Sequence, residues 1–178
     1  MSGNGENGSL SMEERLSRIE DRLAIYNLIA SHPLSADTGI GSFFPHIYTK
    51  DAVFDRGANL HGAIGRDSLV AMVESPAHKA AMDGGLAHFG NLPLIEIDGD
   101  TATVTSYIML VTFDRDSSER ELANHGTSKG HSIFRVVANR WTAVRTDDGW
   151  RIKVRKVFAM DGTPPARELL ADTVNNYA

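Results

Sequence analysis

Two pairs of long, apolar-rich segments, each joined by a tight turn, fill the second half of the chain. "LAHFGNLPLIEI" and "TATVTSYIMLVTF" flank "DGD"; "GHSIFRVVANRWTAVR" and "GWRIKVRKVFAM" flank "TDDG". Short Asp/Gly connections between such segments are hairpin signals, so four long antiparallel strands are expected. Pro93 marks a bulge or an edge position in the first of them. The alternation in "RIKVRK" fits a strand with one polar face. "DRDSSERELANHGTSK" reads as a polar, mobile connection between the hairpins.

The first half has a helical period instead. In "SMEERLSRIEDRLAIYNLIAS", Ser11 and Glu14 have capping-box spacing, and Leu16, Ile19 and Leu23 begin an apolar stripe. Pro33 is expected to limit this helix. "AVFD" reads as a short strand, "RGANLHG" as a turn with an edge segment, and "IGRDSLVAMVESPAHKAAM" as a helix that Pro76 ends or kinks. "PPARELLAD" reads as a closing helix. Helices segregated from an antiparallel sheet give an α+β fold. Strands this long in so short a chain must curl around the first helix. The cone-shaped cavity left between helix and sheet is the natural small-molecule site.

With 178 residues and 42% hydrophobic content the chain suits one core, hence a single domain over residues 12–178. Residues 1–11 are glycine- and asparagine-rich and read as a flexible tail. A formal charge of -5 argues against a large nucleic-acid interface. The absence of cysteine excludes disulfides and thiol chemistry. No apolar run approaches the ~20 residues that span a bilayer, so no membrane partner is expected and the cytoplasm is the expected location. His125 and His131 flank "GTSKG" without a familiar zinc spacing, and "GTSKG" is not a P-loop, so no metal site is expected.

Four polar side chains stand out as groups that can meet inside the cone: Asp37, His88, Tyr107 and Arg145. His88 opens a strand and shares its face with Gly90 and Leu92. It reads either as the base of an active site or as a neutral core histidine bonded to a backbone carbonyl. Asp37 reads either as the group that orients this imidazole or as a cap for the next helical turn. Tyr107, on the face of Thr103, Thr105 and Met109, either donates to a substrate oxygen or packs at a helix–sheet seam. Arg135 and Arg145 share parity with Trp141. An arginine pointing inward there stabilises an enolate or a departing anion; Arg135 is read as facing solvent. Tyr26 and Trp141 are candidate substrate-lining aromatics.

The stretches "IEDRLAIYNLIA", "YTKDAVFD", "IGRDSLVAMV", "HFGNLPLIEIDGDTATVTSY" and "RTDDGWRIKVRK" resemble successive landmarks of the SnoaL-like branch of the NTF2-like (cystatin-like) superfamily, over roughly residues 12–160. The resemblance implies a curved antiparallel sheet wrapped around N-terminal helices. In dehydratase and dehydrochlorinase members an aspartate after the first helix orients a histidine on the first long strand; Asp37 and His88 match those places. Asn91 fits the same pattern as a substrate contact, and Arg145 is the nearest match to an arginine that assists a leaving anion. Members often carry a tyrosine four residues before the aspartate, where this chain has Pro33.

The expected activity is that of a small-molecule lyase or isomerase. His88 acts as general base on an apolar cyclic or polyketide-like substrate, without metal, nicotinamide or flavin. The alternatives are a polyketide-cyclase-like enzyme using the same cavity and a non-catalytic binding or accessory protein. The outer face of the sheet is expected to form a homo-oligomer contact.

Overall fold

A computed structural model describes residues 10–57 and 60–176. Most of the expected flexible tail, and the middle of "RGANLHG", lie outside the described residues. The first helix, α1, spans Met12–Thr38. The Ser11 hydroxyl accepts from the Glu14 N–H and the Glu14 carboxylate accepts from the Ser11 N–H, which is the expected capping box. The helix does not stop at Pro33. It continues one and a half turns further and ends at Gly39, whose φ of 67° supplies the left-handed cap. Proline removes one backbone donor, and burial of Ser35 and Ala36 beyond it offsets that loss. Asp37 therefore lies within the last turn of α1, not after it, and does not cap a following helix.

Ile25, Leu28, Ile29, His32 and Ala36 form the buried stripe of α1. Leu16, Ile19 and Leu23, expected in the same stripe, stay more than half exposed. A 3-10 turn (Gly41–His46) leads into β1 (Tyr48–Asp55), followed by the short edge strand β2 (Ala63–Ile64). The next helical stretch is two helices, α2 (Arg66–Val73) and α3 (Pro76–Asp83). Ser75 caps α3, and Pro76 takes its first turn, where the missing N–H costs nothing.

The second half contains β3 (Ala87–Gly90), β4 (Leu94–Asp98), β5 (Thr101–Phe113), β8 (His131–Thr146) and β9 (Gly149–Ala159). The first expected long strand is broken at Asn91–Pro93 into β3 and β4, which both pair with β5. The polar connection, expected to lack structure, folds into a small hairpin of β6 (Arg120–Leu122) and β7 (Gly126–Ser128). The closing helix α4 covers Pro164–Asn176. The main sheet is open, in the order β2-β1-β9-β8-β5-β3, with β1 and β9 parallel and the other pairs antiparallel. No described helix is long and apolar enough to cross a membrane.

The concave face presents Val104, Ile108, Trp141, Ala143 and Ile152 to α1. On the convex face α4 packs Ala166 and Leu169 over Ala138, and the Arg140 guanidinium ties it down through Asp172, Thr173 and the Leu169 carbonyl. Two bulges decide which residues face inward. Between Ile152 and Val154 the β8 partner advances one residue while β9 advances two, leaving Lys153 unpaired. Phe134 is skipped in the same way between β8 and β5. A one-residue shift exchanges the two faces of a strand. Ile152 and Arg155 are therefore both buried although their numbers differ in parity. The reading of "RIKVRK" as a strand with one polar face is corrected accordingly: Arg155 belongs to the interior.

Gly39 sets the exit of α1 and with it the placement of Asp37. A Cβ added there meets Met82 Cε at 2.8 Å and sits at positive φ. Gly39→Ala is expected to lower unfolding stability by about 1 kcal/mol or more, read from urea denaturation.

Candidate active site

The cone encloses a cavity of about 380 Å³, within the size range of small-molecule sites. Its walls come from the C-terminal half of α1, from β1, from α2 and α3, and from the concave face of the sheet at β3, β5, β8 and β9. Leu69, Met72, Val73, Leu110 and Val157 give it an apolar body, and histidine, tyrosine and arginine side chains add polar groups to its wall.

Asp37 arrives from the last turn of α1 and His88 from β3. One carboxylate oxygen accepts from the His88 backbone N–H at 2.9 Å, and the other lies 2.5 Å from Nδ1. The backbone bond fixes the position of the carboxylate, and the second bond fixes the ring. With Nδ1–H donating to Asp37, Nε2 is the acceptor nitrogen. The His88 side chain is 12% exposed and lines the cavity, and among the described residues Nε2 has no hydrogen-bond partner.

A second polar group lies beside this pair. His32, five residues before Asp37 on α1 and buried, packs edge-on against His88 and against Trp141, with ring centroids 6.4 Å and 5.2 Å away. Arg155 Nη1 reaches His32 Nε2 at 2.6 Å, and Tyr48 Oη lies 2.8 Å from His32 Nδ1. A guanidinium only donates, so Nε2 accepts and the neutral ring carries its proton on Nδ1. His32 therefore donates to Tyr48, which leaves the Tyr48 O–H free to donate elsewhere. Burial, then the Arg155 and His88 charges, hold His32 well below the ordinary histidine range. Burial pushes the Tyr48 phenol up to about 12 against the opposing pull of Arg155, so it is a neutral donor at physiological pH.

Arg155 anchors this group. Its guanidinium lies between the Trp141 and Phe54 rings, 4.4 Å and 4.7 Å from their centroids. Nε and Nη2 donate to the Asn139 side-chain oxygen at 3.0 and 2.9 Å. Among the described residues no carboxylate forms an ion pair with it. Burial draws its pKa down to about 10, a fall that Tyr48 opposes and the Arg56 charge deepens, and it stays a cation at neutral pH.

The other expected site residues lie elsewhere. Tyr107 is on the convex face: the inward residues of β5 are Val104, Ile108 and Leu110, and Tyr107 is 40% exposed. Arg145 has the parity of Trp141 but sits ten residues, roughly 33 Å of strand, beyond Arg135. There it makes a two-toothed ion pair with Asp21, a bond to Asp100 and a stack on Trp150, away from the cavity. The Asn91 side-chain oxygen accepts from the Tyr107 N–H and so holds the β3–β4 break. Tyr26 packs against the core. Trp141 is fully buried behind Arg155 and donates from Nε1 to the Ser106 hydroxyl. Arg135, read as facing solvent, lines the cavity instead. Among the described residues no three potential metal ligands gather in one place.

Sequence reasoning passed over His32, Tyr48, Arg155 and Asn139. One signal was present: His32 falls on the helical stripe of Ile25, Leu28, Ile29 and Ala36. Asn139 also has the parity of Trp141. Arg155 was hidden by the bulge at Lys153.

A sequence model of the SnoaL-like domain matches residues 17–156. The chain belongs to the SnoaL-like family. As a SnoaL-like protein it shares its fold with an NTF2-like protein of cystatin-like fold from Novosphingobium aromaticivorans, at 30% identity and a TM-score of 0.79 over 92% of this chain and 99% of that one. Rv3472 of Mycobacterium tuberculosis, described as of unknown function, is 22% identical with a TM-score of 0.64 over 85% of this chain and 77% of its own. ActVI-ORFA of Streptomyces coelicolor is 18% identical with a TM-score of 0.61 over 80% and 98%. These place the SnoaL-like chain in the NTF2-like, cystatin-like superfamily. No curated protein matches the sequence.

The depressed pKa of His32 gives the fold an acid-side dependence. A group that is harder to protonate when folded contributes its full stability above its unfolded pKa of about 6.5 and loses it as pH falls. Between about pH 7.5 and about pH 5.5, urea unfolding of the wild type should lose stability with a slope of up to about 1.4 kcal/mol per pH unit from this residue. His32→Gln should show a smaller slope, whatever its absolute stability.

Proposed function

We propose that this SnoaL-like protein is a small-molecule lyase or isomerase whose base is His88. One observation carries the reading: Asp37 engages Nδ1 of His88, and the ring it holds lines a largely apolar cavity. Nε2 removes a proton from carbon, and Asp37 holds the productive tautomer and stabilises the imidazolium that forms. The electron pair released moves toward a carbonyl oxygen. The Tyr48 O–H, freed for donation by His32, hydrogen-bonds that oxygen as it becomes an enolate. A β-hydroxyl then takes that proton back from the His88 imidazolium and departs as water as the double bond forms, which completes an elimination, or return of the proton to a different carbon completes an isomerisation. The apolar lining suits a cyclic or polyketide-like substrate.

The proton-transfer step is testable before the natural substrate is known. In D₂O the wild-type protein should speed deuterium uptake at the α-carbon of 2-tetralone, followed by NMR, beyond free imidazole at equal concentration. His88→Ala should lose about 10²–10⁴ of that acceleration. Full exchange by His88→Ala would remove it as the base. Tyr48→Phe removes only the donor to the oxygen and should cost about 10²-fold in rate. Asp37→Asn should slow exchange and alter its pH profile; a wild-type profile would separate Asp37 from the imidazole.

A further inference from the structure

The cavity that His88 lines is also lined by three arginines, Arg56, Arg135 and Arg155, and, among the described residues, by no carboxylate. Average composition does not explain this, because the chain as a whole carries a charge of -5. Among the described residues none of the three takes part in an ion pair. Arg155 is 6% exposed. The Arg56 guanidinium stacks on Phe54 and that of Arg135 on Phe134, 5.6 and 5.7 Å from the ring centroids. Arg56 also makes a long contact, 3.4 Å, to the His61 carbonyl. The carboxylate that senses Arg135, Asp161, is exposed and bonded to Thr163. Asp37 lies behind His88, with both oxygens engaged by it. Even if its charge is set against one guanidinium, two remain.

Like charges gathered in a cavity repel one another, and each resists leaving water. Both effects act on Arg56, pulled down by burial and then by Arg135. An anion entering the cavity relieves both. The fork of a guanidinium matches the two oxygens of a carboxylate.

Register says where that anion sits. His88 pairs with Leu110, and Leu110 pairs with Arg135. Arg135 is thus two strands from His88 along one row of the concave face, roughly 10 Å at Cα. We infer that the substrate carries a carboxylate, held by Arg56 and Arg135 across the cavity from the carbon that His88 deprotonates. This rests on the proposed role of His88 for the second half of the statement only; the anion site is a matter of binding.

The test is calorimetric binding of 2-naphthoate against its neutral isostere 2-naphthamide, on the wild type and on Arg56→Gln, Arg135→Gln and the double variant. The carboxylate should bind at least about tenfold more tightly than the amide, with a preference that shrinks at high salt and disappears in the double variant. Thermal unfolding confirms that the variants are folded, and each single variant should lose part of the preference. Equal binding of the two probes, a preference unchanged in the double variant, or failure of the carboxylate to bind at millimolar concentration would overturn the inference. His88→Ala should keep the preference in full. A failed exchange reaction together with retained carboxylate selectivity would therefore sink the base and leave the anion site standing.

Discussion

A guanidinium buried between two aromatic rings sets the polarity of the whole interior. Arg155 cannot accept a hydrogen bond, so every group around it must present an acceptor: the Asn139 oxygen on one side and His32 Nε2 on the other. That requirement fixes the His32 tautomer, which in turn makes Tyr48 an acceptor toward the helix and leaves its O–H free to donate. One positive charge thereby orients three side chains from three different elements, α1, β1 and β8, without any of them being free to turn. The energetic cost of holding that charge is met by ring faces and hydrogen bonds rather than by an anion of the protein itself.

The Asp37–His88 pair depends on a separate piece of backbone. α1 has to run past Pro33 for Asp37 to reach β3, and it has to stop at Gly39 for the chain to turn into β1. His78 from α3 reinforces this end by bonding the Ala36 carbonyl at 2.7 Å, one residue before Asp37. The two polar groups then stand side by side. His32 and Asp37 are neighbours on the same helical end, and their partners, Arg155 and His88, come from strands on either side of the cavity.

Much of the architecture was legible in the sequence because it rests on local rules. The capping box at Ser11, the hairpin turns at Gly99 and Gly149 and the closing helix follow from short patterns. The residues alone left the meeting of Asp37 with His88 as one of two readings, since fifty-one positions separate them, and family resemblance favoured it. Strand alternation placed Trp141 inside but was silent on where along the strand the cavity lies, which is why Arg145 was grouped with Arg135. For Tyr107 alternation separates the two faces without saying which is concave. Arg155 was misread because a bulge has no reliable signature in one sequence: the rule of two was applied across Lys153, where it does not hold.

That bulge also concentrates the chain's tolerance for changes of length. β9 is one residue longer than β8 requires as it passes Lys153. Loss of a residue at that point leaves Ile152 and Arg155 on the side they already occupy. Loss of one at Lys156 instead turns Val157 and Ala159 away from the cavity and brings Phe158 toward it. The same single-codon deletion is thus nearly silent at one position and remodels the chamber three positions later.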